Sequence, residues 1–361
     1  MRQTREHGRG RSAGLRPRGR GPTIVDVARR AGVSKGAVSF ALNDRPGVAP
    51  STRDRILAAA SELGWQPSTR ARALSRSRAY AVGLVMRRAP ELLGADPFFP
   101  QFLAGVETVL AGRGSALVLQ VVSDDDEAEA DSYRRLAGQG RVDGVFLSDM
   151  LVEDHRFDLL AGLGLPAVAV GRPAGPCPFP MVTVDDRQGV ARTVEHLLGL
   201  GHRRIAFVGG TAGYVHSSSR RAAWRQALAA AGVAPGPELV GDFTGPGGAA
   251  ATRALLAGAD PPTAIVYAND VMAIAGMGVA IGLGLEVPGD LSVAGFDDVP
   301  LAAHMAPPLT TVRQDALAWG RAAAEVLLAV GEGREGWPTA DVELPPATPV
   351  FRASTGPPRP A

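Results

Sequence analysis

The chain has 361 residues but only one lysine, Lys35, and one cysteine, Cys177. A lone cysteine excludes an intrachain disulfide and a cysteine-built metal cluster. Cys177 lies in the proline-rich stretch GRPAGPCPFP, with no base beside it in sequence to activate a thiol. The only lysine follows Ser34 instead of a glycine, so no GxxxxGK[ST] phosphate loop exists. The six histidines are scattered and none has the HExxH spacing of a metal site. GGTAG, residues 209–213, lacks the full GxGxxG of a dinucleotide fold. The pairs Asp185-Asp186 and Asp297-Asp298 are neighbours in the chain, which does not place two carboxylates across a glycosidic bond. No run of 18 apolar residues is present, so a membrane-spanning helix is not expected. No apolar core follows the first arginines, so a secretory signal is not expected either. Nothing here calls for a metal or a cofactor, and an enzyme reading has little support.

What is present is an uneven distribution of charge. Residues 1–80 carry 17 Lys+Arg against 5 Asp+Glu, while the remainder carries 21 against 31. A basic head on an acidic body is the electrostatic footprint of nucleic-acid binding confined to one module. Residues 1–21, rich in Arg and Gly and without apolar pattern, are expected to be a disordered tail.

The head continues with TIVDVARRAGVSKGAVSFALN, residues 23–43. Two short helical patterns, 24–31 and 35–42, flank the break at Gly32-Val33. Thr23 with Asp26 three residues on forms a capping box, and Ser34 can cap the second helix. Val27, Ala28, Val38 and Leu42 fall where two crossing helices would pack. This is the pattern of a helix-turn-helix, whose second helix enters a DNA major groove. A third helix is predicted over 50–63, with Pro50 in its first turn. Ala49 is a poor cap, so Ser51 with Asp54 could start that helix later. Residues 68–78, STRARALSRSR, then lead into an apolar strand.

From Tyr80 onward, apolar runs alternate with helical patterns. Strands are predicted at 81–86, 116–122, 144–147, 167–170, 205–208, 264–267 and 291–294. Helices are predicted at 98–112, 127–138, 187–200, 220–231, 248–257 and 271–283. Such alternation, with strands apolar on both faces, predicts an α/β doubly wound parallel-sheet core. The run is long enough for two sheets with a cleft between them. Ligands in such folds sit off the carboxyl ends of the strands. There the sequence places Asn269 after AIVY, Asp297 after SVAGF, and Arg220 beyond the Gly209-Gly210 loop. Asp accepts, Arg donates in a fixed fork and Asn does both, a set suited to vicinal hydroxyls. Phe98, Phe99 and Phe243 could offer apolar faces to a sugar ring. Asp270 and Asp298 are expected to cap helices or pin loops, Trp224 to sit in the core, and His202 to order the turn before a strand. His216 falls in a serine-rich loop.

The chain resembles the lactose-repressor (LacI) family of bacterial transcription regulators from about residue 22 to 355. The resemblance is carried by Thr23-Ile24, Asp26-Val27-Ala28, Ala31-Gly32-Val33-Ser34, Val38-Ser39, Leu42-Asn43, Thr52-Arg53, Leu63-Gly64, Pro67, and Ala71 with Leu74. Further on it is carried by VDDRQGVARTVEHLLGLGHRRIAFVGG, YANDVMAIAGMGVAIGLGLEVPGDLSVAGFDD and PPLTTVRQD. It implies a helix-turn-helix domain at 22–67, a hinge helix at 68–79 and an effector-binding, dimerising core at 80–355 with the fold of periplasmic sugar-binding proteins. Within the core it implies one subdomain of about 80–181 with 312–341, a second of about 182–311 with 342–355, and a tail at 356–361.

On the DNA side the resemblance implies contacts from Thr23, Ile24, Ser34, Lys35, Gly36, Ala37, Ser39, Phe40, Asn43, Thr52, Trp65, Ser68, Arg70, Ala71, Arg72 and Leu74. Leu74 would wedge into the minor groove at the operator centre, with Arg70 and Arg72 on phosphates. Gly36 can read no base edge, and Phe40 can only touch a thymine methyl or pack inward. Lys35 is then the strong polar base reader. On the effector side the resemblance implies Phe98, Phe99, Ser148, His216, Arg220, Phe243, Asn269, Asp297 and Gln314. The implied protein is a cytoplasmic, nucleoid-associated homodimer on pseudo-palindromic operator DNA, a repressor released by a sugar. A purine-like corepressor system remains open, and so, more distantly, does a sugar-binding protein or carbohydrate enzyme. The Pro-rich end from Leu344 carries no leucine heptads for a tetramerising coiled coil.

Overall fold

The computed structural model describes residues 22–42, 46–65, 78–88, 97–123, 125–332 and 340–360. The chain divides into two compact units, Met1–Arg78 and Ala79–Ala361. The expectations for the 1–21 tail, for Asn43 and for most of the hinge lie outside the described residues.

The described part of the first unit holds α1 (Ile24–Ala31), α2 (Lys35–Leu42) and α3 (Pro50–Glu62). The Asp26 carboxylate accepts from the Thr23 backbone N–H at 2.9 Å and from its hydroxyl at 2.7 Å. Gly32, at φ 65°, ends α1 in the left-handed conformation that glycine adopts without strain. Ser34 then accepts from the Ala37 N–H at 3.1 Å and starts α2. The expected later start of α3 is corrected: it begins at Pro50, with Ala49 as a cap that offers no side-chain bond. Proline needs no N–H partner at that position, so the missing side-chain cap costs little. Val27, Ala28, Val38, Ile56 and Ala59 close a small core of their own.

The second unit is α/β with two parallel sheets. Its first sheet has the order β11-β5-β4-β3-β1-β2, from β1 (Ala81–Arg87), β2 (Ala116–Val122), β3 (Val145–Leu147), β4 (Ala167–Val170), β5 (Met181–Thr183) and β11 (Val342–Glu343). The other has the order β7-β6-β8-β9, from β6 (Ile205–Gly209), β7 (Glu238–Val240), β8 (Ala264–Tyr267) and β9 (Ser292–Ala294). A separate antiparallel pair, β10 (Thr311–Arg313) with β12 (Thr348–Val350), lies where the chain returns between the sheets. The central strands are apolar and buried on both faces because helices cover both sides.

Helices α4 (Phe98–Arg113), α5 (Asp126–Gly138), α6 (Arg156–Leu163) and α11 (Ala316–Glu332) accompany the first sheet. Helices α7 (Arg187–Gly199), α8 (Val215–Ala230), α9 (Gly245–Leu256) and α10 (Asp270–Gly282) accompany the second. Two glycines bring α4 and α11 backbone to backbone. A Cβ at Gly105 would strike the Leu317 carbonyl, and one at Gly320 the Phe102 carbonyl. That crossing fixes which side chains the two helices send toward the space between the sheets.

Three differences from the sequence expectation change how the core is divided or the site is built. Val182, Thr183 and Val342–Glu343 belong to the first sheet, because β5 pairs with both β4 and β11. Helix α8 starts at Val215, five residues earlier than periodicity suggested, so His216 sits in its first turn and not in a loop. The last residues are not a loose tail: the Gly356 carbonyl lies 2.9 Å from His202 Nε2, and Arg359 pairs with Asp290 and Glu286.

Candidate functional site

The carboxyl ends of the strands face a cleft between the two sheets, with open space of about 1030 Å3. Phe98, Phe99, Ser148, His216, Arg220, Phe243, Asn269, Asp297 and Gln314, scattered over more than 200 residues of sequence, all line it. Phe98, Phe99, His216 and Arg220 lie in the first two turns of α4 and α8, and the others just past a strand. Ser148 follows β3, Asn269 follows β8, and Asp297 lies three residues past β9.

The polar groups are held before any ligand arrives. The Arg220 guanidinium lies 3.5 Å from the Phe296 ring centroid, donates to the Ala268 carbonyl at 2.6 Å and faces Asp186 at 3.2 Å. Asn269 caps α10 by accepting from Met272 N–H at 3.0 Å and donates to the Phe243 carbonyl at 3.0 Å. It is therefore as much a brace for the Phe243 loop as a wall. Gln314 donates to Asp297 Oδ1 at 2.7 Å. Asp149, Phe243 and Asp297 all line the cleft at positive φ, 49°, 63° and 114°. Such conformations persist where the surroundings over-determine them, which is typical of binding sites.

Aromatic rings form the apolar walls. Phe98 stands edge-on to Trp319 at 5.6 Å, and His216 lies between Tyr214 and Phe243 at 5.4 and 5.2 Å. The Phe243 ring rests against Gly210, where any Cβ would collide with it. Burial and the nearby Arg220 guanidinium push the His216 imidazole down to about 3, so it is neutral and can both donate and accept.

Sequence reasoning missed Arg88, Asp149, Asp186 and Trp319, which line the same cleft. Arg88 grips Asp149 with two bonds of 2.8 Å and lies 4.7 Å from the Phe99 ring centroid. Burial alone would raise the Asp149 carboxyl, but Arg88 outweighs it and holds the group below its usual value. Behind this pair, buried Arg156 donates to the backbone carbonyls of Ser148 and Asp149 and pairs with Glu129 and Asp154. The signal for Arg88 and Asp149 was available, since they follow β1 and β3 as Asn269 follows β8. Asp186 follows β5, which was not foreseen as a strand. Trp319 lies on α11, which sequence periodicity did not single out, and its Nε1 donates to the Val182 carbonyl at 2.8 Å.

In the first unit, Thr23, Ser34, Lys35, Gly36 and Phe40 are exposed. Ile24, Ala37, Ser39, Thr52 and Trp65 are half-buried. The inward packing considered for Phe40 is corrected: its residue keeps 42% of its surface exposed, because Val38 and Ala41 already fill the core side of α2. Ser68, Arg70, Ala71, Arg72 and Leu74, like Asn43, lie outside the described residues. Asp270 and Asp298 are structural: Asp270 accepts from Val299 N–H and Thr311 Oγ1, and Asp298 pairs with Arg313 and Arg352. Trp224 is fully buried in the core. His202 bonds Thr263, Ser292 and the Gly356 carbonyl.

Comparison with known proteins agrees at both ends of the chain. The family profile described as bacterial regulatory proteins, lacI family, matches residues 23–68, and a periplasmic binding protein-like domain matches 194–355. The HTH-type transcriptional regulator CelR of Thermobifida fusca is 38% identical over 317 residues, covering 86% of this chain and 92% of CelR. The regulator MalR of Streptomyces coelicolor is 35% identical, covering 84% and 89%. Among solved structures, a CelR–cellobiose complex is 34% identical with a TM-score of 0.70, covering 92% of this chain and 99% of that one. The lac repressor dimer bound to operator and the anti-inducer ONPF is 29% identical with a TM-score of 0.81, covering 93% and 99%. The chain belongs to the lacI family: it is a DNA-binding transcription regulator and not an enzyme.

Proposed function

We propose that this regulator is a cytoplasmic homodimer that represses carbohydrate-metabolism genes and leaves its operator when a neutral sugar enters the cleft. The observation that carries the ligand class is the pairing of charge there. Four arginines (Arg88, Arg172, Arg187 and Arg220) and four aspartates (Asp149, Asp185, Asp186 and Asp297) line the space. Arg88 is matched to Asp149, Arg220 to Asp186 and Arg172 to Glu343, while Arg187 donates to Gln226. An acidic ligand would have to share three of these guanidiniums with a carboxylate already beside them and the fourth with the Gln226 amide. A neutral polyol can instead bridge carboxylate and guanidinium without disturbing either, with its ring faces against Phe98, Trp319 and Phe243. The cellobiose seated in the related CelR is a ligand of that chemistry.

On the DNA side, Lys35 at the start of α2 reads a base edge in the major groove, with Ser39 beside it on the recognition helix and Thr23, Ser34 and Thr52 on the backbone around it. Residues 68–79 act as the hinge, with Leu74 wedged into the minor groove and Arg70 and Arg72 on phosphates. One helix-turn-helix per chain, used by a two-fold dimer, implies a pseudo-palindromic operator. The test is a thermal-shift panel of mono- and disaccharides, sugar phosphates and purines, followed by operator binding with and without each hit. A neutral sugar that stabilises the protein and releases operator is the expected result. Stabilisation by a purine or a sugar phosphate, with tighter operator binding, would replace this reading.

A further inference from the structure

The cleft does not end at its mouth. Arg172, Asp185 and Arg187, which line it, also line a second open space of about 1080 Å3 that runs along the outside between α7 and α8. One side is Gln188, Ala191 and Glu195 of α7, and the other is Ala223, Gln226 and Ala227 of α8. Arg187 stands at the junction, donating to Gln226 Oε1 at 2.8 Å. From the floor outward, the groove is three alanine methyls bordered by amide and carboxylate side chains. That profile suits an extended sugar chain, whose rings have apolar faces and hydroxyl edges. Glutamine both donates and accepts, as a hydroxyl does.

We infer, resting on the neutral-sugar reading above, that the groove between α7 and α8 is an outer subsite for further units of an oligosaccharide whose first units occupy the cleft. The effector class is then a linear neutral oligosaccharide longer than a disaccharide. The charge of the groove favours this occupant: Arg172 and Arg187 are balanced by Asp185 and Glu195, with two glutamines between them, so no net positive charge recruits a polyanion. The narrow alanine floor offers little apolar area to a protein partner.

The experiment is calorimetry on the full chain with neutral glucose, galactose, mannose and xylose oligomers of two to five units. Within the series that binds, tri- or tetrasaccharide should bind about 3–10-fold tighter than disaccharide, the gain of roughly one net hydrogen bond with its packing. Gln188→Ala and Glu195→Ala, at two groove residues that do not line the cleft, should erase that gain and keep disaccharide affinity unchanged. Ala191→Trp, which fills the floor, should do the same by blockage, with circular dichroism confirming its fold. Equal affinity for all lengths in the unaltered chain would overturn the outer subsite and leave the neutral-sugar reading standing. A length-dependent gain that survives all three substitutions would also overturn it. Failure of every neutral sugar to bind, disaccharides included, would overturn both.

Discussion

At the residue scale, single side chains sort into those that recognise and those that shape. Lys35 is exposed at the start of α2, with Gly36 beside it offering no side chain. If it makes the main polar base contact, Lys35→Ala should cost roughly 1–3 kcal/mol on the operator and little on random DNA. Competition binding on both DNAs measures this, and an unchanged ratio would remove Lys35 from base reading. Gly210 shapes without touching polar groups. Its missing Cβ is what lets the Phe243 ring lie flat at the cleft wall. Gly210→Ala should push that ring away and forfeit a stacking contact of about 0.5–1.5 kcal/mol, or roughly 2–10-fold in sugar affinity. Calorimetry with a binding sugar would show it; unchanged affinity in a folded variant would mean that Phe243 does not stack on the ligand.

At the element scale, the sequence made the long apolar strands and their following helices legible, because continuous burial leaves an unbroken apolar run. It also made much of the cleft legible, since polar residues directly after such runs are conspicuous. It was silent where tertiary packing decides. The edge strands β7 and β11, and β5 next to β11, are two or three residues long and carry no period. Trp319 faces the cleft only because Gly105 and Gly320 let α4 and α11 touch. Two titratable groups then sit at helix starts with opposite consequences. His216, in the first turn of α8, is pushed down to about 3 by burial and Arg220. Between that value and its usual 6.5 only the unfolded chain takes the proton, so its contribution to stability grows as pH rises through this window. Asp270, at the start of α10, is pushed up to about 7 by burial, against its bonds from Thr311 and Val299. Between 3.8 and about 7 only the folded chain keeps that proton, so its contribution falls as pH rises. The two slopes oppose each other from pH 4.5 to 6. Asp270→Asn should therefore make thermal stability rise more steeply with pH than in the unaltered chain, and His216→Gln should make it fall. The differences should be on the order of 1 kcal/mol per pH unit. Three parallel melting-temperature profiles, recorded without ligand, would show that neither group is shifted as described.

At the scale of the whole molecule, the division of labour follows from each unit having its own core. The helix-turn-helix unit closes on Val27, Val38 and Ile56, none of which depends on the sheets. The cleft belongs wholly to the second unit. A substitution that empties the cleft of one recognition group should therefore leave DNA binding intact and remove only its control. Asp297 is the sharpest case. It is held at φ 114° with Gln314 donating to its carboxylate, so it is preorganised to accept from ligand hydroxyls. Asp297→Ala deletes the acceptor and takes that partner from Gln314. Breaking one member of such a network costs roughly 2–5 kcal/mol of binding, a loss of about thirtyfold or more. Arg220→Ala should act alike, because it also frees Asp186 and the Ala268 carbonyl from the guanidinium they share. Both proteins should hold the operator at unaltered affinity, with the same steep weakening by salt that phosphate contacts impose. Neither should be released by a sugar concentration that empties the operator of the unaltered chain. A gel-shift titration with operator and sugar, and circular dichroism to confirm folding, decides it. Release of a folded Asp297→Ala protein at the ordinary sugar concentration would place recognition elsewhere in the cleft. Loss of operator binding without sugar would show that the two units are not energetically separate.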